Sequence, residues 1–342
     1  MLEITSKVLI DGKSVDFTTA SYKQSGGLSA AQLTVSLPGT DTSYRKYWGK
    51  EIIAYLNLED TYPFFRGYVM DATIENEFSL KLIALDALGW LTGHQKATVY
   101  IKDNNNIDGL TIGAGLKKLI SLANLDDTVG TDYIGDTKPK VTARNNVRGD
   151  LVILNWLKKS MGEAIDDSGN IPLENTLVVR DDGTKGQLCL ELLSDVDTVQ
   201  PSYTFYENNL IGYNVKARKM PTTIIVKGKN KVMGKYRHSS AAKAYGENFK
   251  QISNNNLSSP AACVNFGRMV FYANVENQYE ISITTYEGVY LLPNDVIRLN
   301  IKNADVSGNY RVVGKEVTFS PSKFEVKLNI NQRPPILSDF LV

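Results

Sequence analysis

Apolar and polar residues alternate along the first quarter of the chain with a period of two, the pattern of half-buried strands. Leu2 to Ile10 meets a turn at Asp11-Gly12, Ser14 to Ser25 returns, and Ser25-Gly-Gly27 interrupts it. Ala31 to Leu37 alternates until Pro38-Gly39. Gly49 to Leu56, a strand opening at Phe65-Arg-Gly67-Tyr68-Val69 and Phe78 to Ile83 complete the set. Residues 1–95 thus predict an all-β domain of about six strands, enough for a small barrel or sandwich.

The pattern then changes. Between Asp108 and Leu125, Leu110, Ile112, Leu116, Leu119, Ile120 and Ala123 fall on one helical face. Gly149 to Met161 predicts a second helix with Gly162 as its stop. Thr176 to Arg180 and Gln187 to Leu192 flank the turn signal Asp181-Asp-Gly183. Residues 96–203 therefore predict an α+β insert. Strand patterns resume at Tyr203, notably Thr222 to Lys227, and a lysine-rich excursion follows. Ser259-Pro260 opens a helix over Ala261 to Val275, as N-cap and first-turn residue. The expected second barrel is discontinuous, residues 204–232 and 277–331, split by a basic loop and helical insertion at 233–276, with an extended tail at 332–342.

The last sheet, Leu291 to Asn331, is a meander of three alternating runs separated at Ser307-Gly308-Asn309 and Ser320-Pro321-Ser322. It repeats the grammar of Gly49 to Ile83: a strand, a turn, a glycine before Tyr and Val, a long strand, a short turn and a Phe-led strand. Either the β-unit is duplicated, or two unrelated meanders share strand grammar. The fold class expected is β-rich α+β multidomain, with two tube-like antiparallel β-barrels, an α+β insert, and a helical insertion in the second barrel.

Composition narrows the function classes. At 342 residues the chain is long enough for two to four domains. A net charge of +1 gives no bulk field for nucleic acid or an anionic membrane. Eighteen tyrosines against three tryptophans suit strands and polar interfaces. Cys189 and Cys263 lie far apart and are expected to be inert buried thiols. No signal segment and no membrane-spanning run is evident, so synthesis and folding in the cytoplasm are expected, or export by a route that needs no signal.

Candidate chemistry is sparse. His94 and His238 stand outside any metal-ligand spacing, and no Cys-x-x-Cys, His-Glu-x-x-His or Gly-x-Ser-x-Gly occurs. Gly113-Ala-Gly115 lacks the third glycine of a phosphate cradle. Glu163, Asp166 and Asp167 offer a carboxylate pair of the kind a peptidoglycan-degrading tail enzyme needs, in a loop where acids are usually solvated. Charge is the sharper feature. Glu163 to Glu207 holds ten acids against Arg180 and Lys185, whereas Asn208 to Gly246 holds nine bases and no acid. Blocks of opposite sign suit complementary faces within or between subunits. The candidate interface residues are Lys227, Lys229, Lys231, Lys235 and Arg237, with Ile336 and Phe340 as apolar anchors in the tail. A solvated loop is the other reading of the basic block. Nucleic-acid binding is weaker, because only Tyr236 and Tyr245 interleave it.

Leu292-Pro-Asn-Asp295-Val-Ile, Gly308-Asn-Tyr310-Arg-Val, Phe319-Ser-Pro321 with Phe324-Glu-Val-Lys-Leu, Leu28 to Gly39 and Phe65-Arg-Gly-Tyr-Val69 together resemble the baseplate hub proteins of contractile-tailed bacteriophages. The N-terminal part of type VI secretion spike proteins is similar. Asn294 stands where that family usually has glycine, which bears on turn geometry. The resemblance implies a non-enzymatic structural protein of the virion tail baseplate, assembled in the host bacterial cytoplasm. It implies a homotrimer whose two barrels per chain form a pseudo-six-fold ring, with a tail tube or distal tube protein above and a central spike below. Other baseplate proteins would surround it, phage DNA would pass through its lumen without sequence-specific contacts, and no cofactor is implied. A β-rich glycan-binding module is a further alternative.

Overall fold

A computed structural model describes residues 6–331 except 27–28, 40–42, 57–62, 77–78, 93–97, 102–106, 108, 136–148, 158–174, 193–195, 218–219, 256 and 277–278. The first unit comprises β1 (Ser6–Ile10), β2 (Lys13–Val15), β3 (Thr19–Ser25), β4 (Gln32–Pro38), β5 (Glu51–Leu56), β6 (Phe65–Asn76) and β7 (Ser79–Leu85). β3 and β4 alternate buried and exposed or half-buried positions as the sequence pattern requires.

The insert contributes β8 (Thr98–Ile101), a helix Ile112–Leu122, β9 (Gly149–Val152), β10 (Asn175–Asp181) and β11 (Gly186–Leu192). The first helix begins where its periodicity starts, and the Thr111 side chain accepts from the Ala114 amide as its N-cap. The expected second helix differs from its prediction. Gly149–Val152 pairs with β8 and helical residues begin only at 153, while Met161 and Gly162 lie outside the described residues. The β10–β11 hairpin forms as expected. This region has its own core of Trp156, Leu116, Leu119 and Ile120 among others.

The second unit begins with β12 (Tyr203–Tyr206) and β13 (Gly212–Ala217). Three strands then leave it: β14 (Thr223–Lys227), β15 (Met233–Arg237) and β16 (Phe249–Ser253), in the order β15-β14-β16. Thr223–Lys227, expected in the second barrel, thus belongs with the inserted segment. Its neighbours explain this, because Ile224 and Val226 bury against the helix Pro260–Glu276 in a separate core. Gly234 permits that approach: a Cβ there would lie 2.6 Å from the Cys263 Cβ. Ser259 caps the helix by accepting from the Ala262 amide. The chain rejoins the unit through β17 (Tyr279–Thr285), β18 (Val296–Ile301), β19 (Val306–Ser320) and β20 (Lys323–Asn331).

Strand order bears out the duplication. The first unit runs β3-β4-β7-β6-β5-β1, and the second runs β13-β17-β20-β19-β18-β12. The long middle strand of each meander is bulged at the matching place, between Val69 and Asp71 in β6 and between Val312 and Gly314 in β19. One pair differs: β1 is antiparallel to β5, whereas β12 is parallel to β18.

The two units share one 13-stranded sheet, because the C-terminal half of β19 pairs with β3. Among the described residues the ladders close neither unit into a barrel. The core is also continuous across the junction. Phe319 of the second unit packs edge-on against Phe17 and Phe64 of the first, at centroid separations of 5.5 and 5.2 Å. Each such pair contributes about 0.5–1.5 kcal/mol beyond area burial.

Candidate functional site

A polar constellation lies where both β-units meet the β10–β11 hairpin. It surrounds a cavity of about 440 Å³ lined by Tyr22, Arg66, Asp86, Arg180, Asp181 and Lys315, among others. Arg66 is the second residue of β6, and alternation with Phe65 turns it away from the core. Its Nε donates to Asp181 Oδ2 at 2.7 Å, Nη1 to Glu51 Oε1 at 2.8 Å and Nη2 to the Gly183 carbonyl at 3.0 Å. One guanidinium fork thus joins the first unit to the hairpin turn. Arg180, on the same hairpin, donates to Asp295 Oδ1 of the second unit at 3.3 Å.

Asp295 ends the Leu292-Pro-Asn-Asp turn, and its other carboxylate oxygen accepts from the Leu292 amide at 2.8 Å. Asn294 has φ of 82°, so the position favours Gly or Asn, and its amide oxygen and carbonyl both accept from Arg311 Nη1 at 3.0 Å. The asparagine noted in the sequence therefore fills a left-handed turn position and adds a side-chain bond.

Two buried ionisable groups complete the site. Burial pushes the Asp86 carboxyl up to about 7, against the backbone amides that favour its charge. One of those is the Leu88 amide, 3.1 Å from Oδ1. Burial likewise pulls Lys315 down to about 7, opposed by Asp295. The Lys315 ammonium donates to the Val289 carbonyl at 2.6 Å and sits 5.1 Å from the Tyr22 ring centroid. With each of its three nitrogens donating to a fixed acceptor, Arg66 suits a clamp between elements. Among the described residues no group of three or more His, Cys, Asp or Glu side chains is placed to hold a metal ion.

The sequence-derived interface residues lie elsewhere. Lys227 ends β14, Lys229 and Lys231 occupy the turn to β15, and Lys235 and Arg237 stand on β15. All five are exposed. Lys227, Lys235 and Arg237 share the sheet face opposite the helix with the exposed Met233 and Phe249. Arg237 pairs with Glu247 through an Nε contact of 2.8 Å, which lowers the Glu247 carboxyl. None of the five meets the acidic block among the described residues. Glu163, Asp166, Asp167, Ile336 and Phe340 lie outside the described residues. Cys189 and Cys263 are buried and outside any disulfide. The Arg66, Asp86 and Lys315 roles were missed, although Lys315 stands in alternating register with Val317 and Phe319.

Solved structures of similar fold include phage tail proteins. A tail protein of Neisseria meningitidis superposes with a TM-score of 0.66 at 11% identity, over 98% of this chain and 99% of the other. The chain has the fold of phage tail proteins. The 43 kDa tail protein of the Shewanella oneidensis prophage MuSo2 shares the tail-protein fold with a TM-score of 0.65 at 10% identity, covering 95% and 96% of the two chains. An Escherichia coli type VI secretion component, c3393, matches 94% of this chain and 76% of its own length with a TM-score of 0.54 at 11% identity. No family profile and no curated protein sequence matches the chain. Among the described residues of this tail-protein fold, no helix is long and apolar enough to cross a membrane.

Proposed function

We propose that the chain is a structural, non-enzymatic hub of a bacteriophage tail baseplate. It acts as a homotrimer that joins a six-fold tail tube to a three-fold central spike. The observation that carries this reading is the pair of β-units with matching strand order, joined edge to edge in one chain. Three copies then present six similar units toward the tube and three-fold symmetry toward the spike, with the wall enclosing a channel for phage DNA. The likeness to the Neisseria and Shewanella tail proteins over nearly the whole chain supports it.

In this reading the open face bearing Lys227, Lys235 and Arg237, with Lys229 and Lys231 beside it, contacts other baseplate proteins, and Ile336 and Phe340 anchor the tail on a neighbour. The deciding experiment is the solution mass of the purified chain by light scattering, alone and co-expressed with tube and spike proteins from the same phage. A trimer, or a three-plus-three complex with the spike, is expected. A chain that stays monomeric and binds neither partner overturns the hub. Clearing of a peptidoglycan gel that is lost in Glu163→Gln would favour a hydrolase instead.

A further inference from the structure

Among the open strand edges of the large sheet, two stand at places equivalent to the edges joined inside the chain. β13 pairs only with β17, and β6 from Asp71 onward pairs only with β7. We propose that these edges pair with each other between copies, β13 of one chain adding to the C-terminal half of β6 in the next. The proposal rests on the trimeric hub reading and assigns its interface.

The intrachain junction is the template. There β3, the outer strand of the first unit, adds to the C-terminal half of β19, the bulged strand of the second. β13 occupies in the second unit the place of β3, and β6 occupies in the first the place of β19. The same contact made once more, from second unit to first, therefore joins two chains. An unpaired edge of this kind is a ready template for another strand.

Register follows from the ladders without further assumption. Matching the bulges places Ile74 at the position of Val317. Following β7 and β4 on one side, and β20 and β17 on the other, places Val215 at the position of Tyr22. Val317 faces Tyr22 inside the chain. Between chains Ile74 faces Val215, Thr73 faces Lys216 and Ala72 faces Ala217. Val317 is fully buried in the junction, whereas its counterpart Ile74 is 40% exposed. An apolar side chain thus stands uncovered at the one place where the repeated contact would cover it.

Charge does not repeat with the register. Across the internal junction Lys23 pairs with Glu316 at 3.1 Å. Lys216 takes the place of Lys23 but Thr73 that of Glu316. Within the chain Lys216 pairs with Glu280 at 3.8 Å and Glu75 with Lys81 at 2.9 Å, so the apolar match of Ile74 with Val215 carries the contact. The joining edges are different surfaces, so the contact is head-to-tail and either closes into a ring or continues as a filament. Closure at three chains requires the internal and inter-chain junctions together to turn by a third of a full circle, and equal turns would make the six units equivalent.

The test places cysteines at Ile74 and Val215 in the full chain, where Cys189 and Cys263 are buried. After mild oxidation, Ile74→Cys with Val215→Cys in one chain is expected to give linked dimers and trimers and nothing larger. Mixed single variants should stop at dimers, and neither single variant should link to itself. Separately, Ile74→Lys should convert trimer to monomer by light scattering, a loss of affinity of about a hundredfold or more, with the far-ultraviolet circular dichroism unchanged. A trimer that persists in Ile74→Lys and forms no 74–215 link overturns the edge pairing and leaves the hub reading standing. Self-linking of Ile74→Cys alone overturns it in favour of a two-fold contact, and linked species beyond trimer overturn the closed ring. A wild-type chain that is monomeric and binds no tube or spike protein overturns both.

Discussion

Lys315 is a lysine at a position where its counterpart in the first unit, Ala72, is apolar. Both face inward next to a bulge, and both are buried. In the folded protein the Lys315 proton is lost near pH 7, and in the unfolded chain near 10.5. Its contribution is therefore present at high pH and is lost as pH falls through about 7. Asp86 behaves oppositely. Its carboxyl keeps a proton to about pH 7 when folded and only to 3.8 when unfolded, so its contribution is present in acid and lost as pH rises through that window. The two effects place a local minimum of stability near neutrality, each limb on the order of 4 kcal/mol. Asp86→Asn keeps the oxygen that accepts from Leu88 and should remove the loss between pH 4 and 7. Lys315→Met should remove the gain between pH 7 and 10. Urea midpoints of the three proteins at pH 5, 7 and 9 test this. Wild type and Asp86→Asn running parallel from pH 5 to 7 would refute the assignment for Asp86.

At the scale of elements, the β10–β11 hairpin is held by charge on both sides. Arg66 grips it from the first unit, and its own Arg180 reaches Asp295 in the second. Arg66→Ala leaves Glu51 and the part-buried Asp181 without their cation and should cost about 3 kcal/mol. Arg66→Lys should recover little, because a single ammonium cannot serve three acceptors in one plane. Urea unfolding followed by tryptophan fluorescence measures both, and a change under about 0.5 kcal/mol for Arg66→Ala would show that the clamp is only a surface pair. Local grammar made most strands legible in the sequence: the alternation of Ala31 to Leu37, the turn at Ser320-Pro321-Ser322 and the helix signal at Ser259-Pro260 all lie where they were expected. Ser307-Gly308-Asn309, expected as a turn, instead pairs with Arg298 to Asn300 inside β19, and the chain turns at Lys302 to Asp305. What sequence hides is partnership. Thr222 to Lys227 has the same alternation whether it joins the large sheet or the small one, and only the helix above Ile224 and Val226 decides. Phe65-Arg-Gly67 was recognised as a strand opening, but nothing local ties Arg66 to an aspartate 115 residues away. The closing of the first unit onto β19 is equally non-local.

At the scale of the whole molecule, the second unit is the first unit with a long segment spliced into one hairpin. Ala217 and Tyr279 lie directly opposite each other in the β13–β17 ladder, so the inserted chain leaves and returns at one point. The first unit shows the unspliced form. Gln24 and Ser25 at the end of β3 lead through a short loop to β4. The inserted strands and the helix Pro260–Glu276 bury against one another in a core separate from that of the two units. Stability of the large sheet therefore should not depend on the segment. Replacing residues 218–278 by an Asn-Gly turn, which suits a two-residue hairpin, is expected to leave a chain that unfolds cooperatively within a few degrees of the parent midpoint. It should also keep the parent oligomeric mass, because Val215 and Ile74 are retained. The basic face carrying Lys227, Lys235 and Arg237 would be gone, so the proposed binding of other baseplate proteins is what should fall. A spliced-out chain that aggregates or loses the parent oligomeric mass would mean that the segment supports the β13 edge, and that the two cores are coupled in spite of their separation.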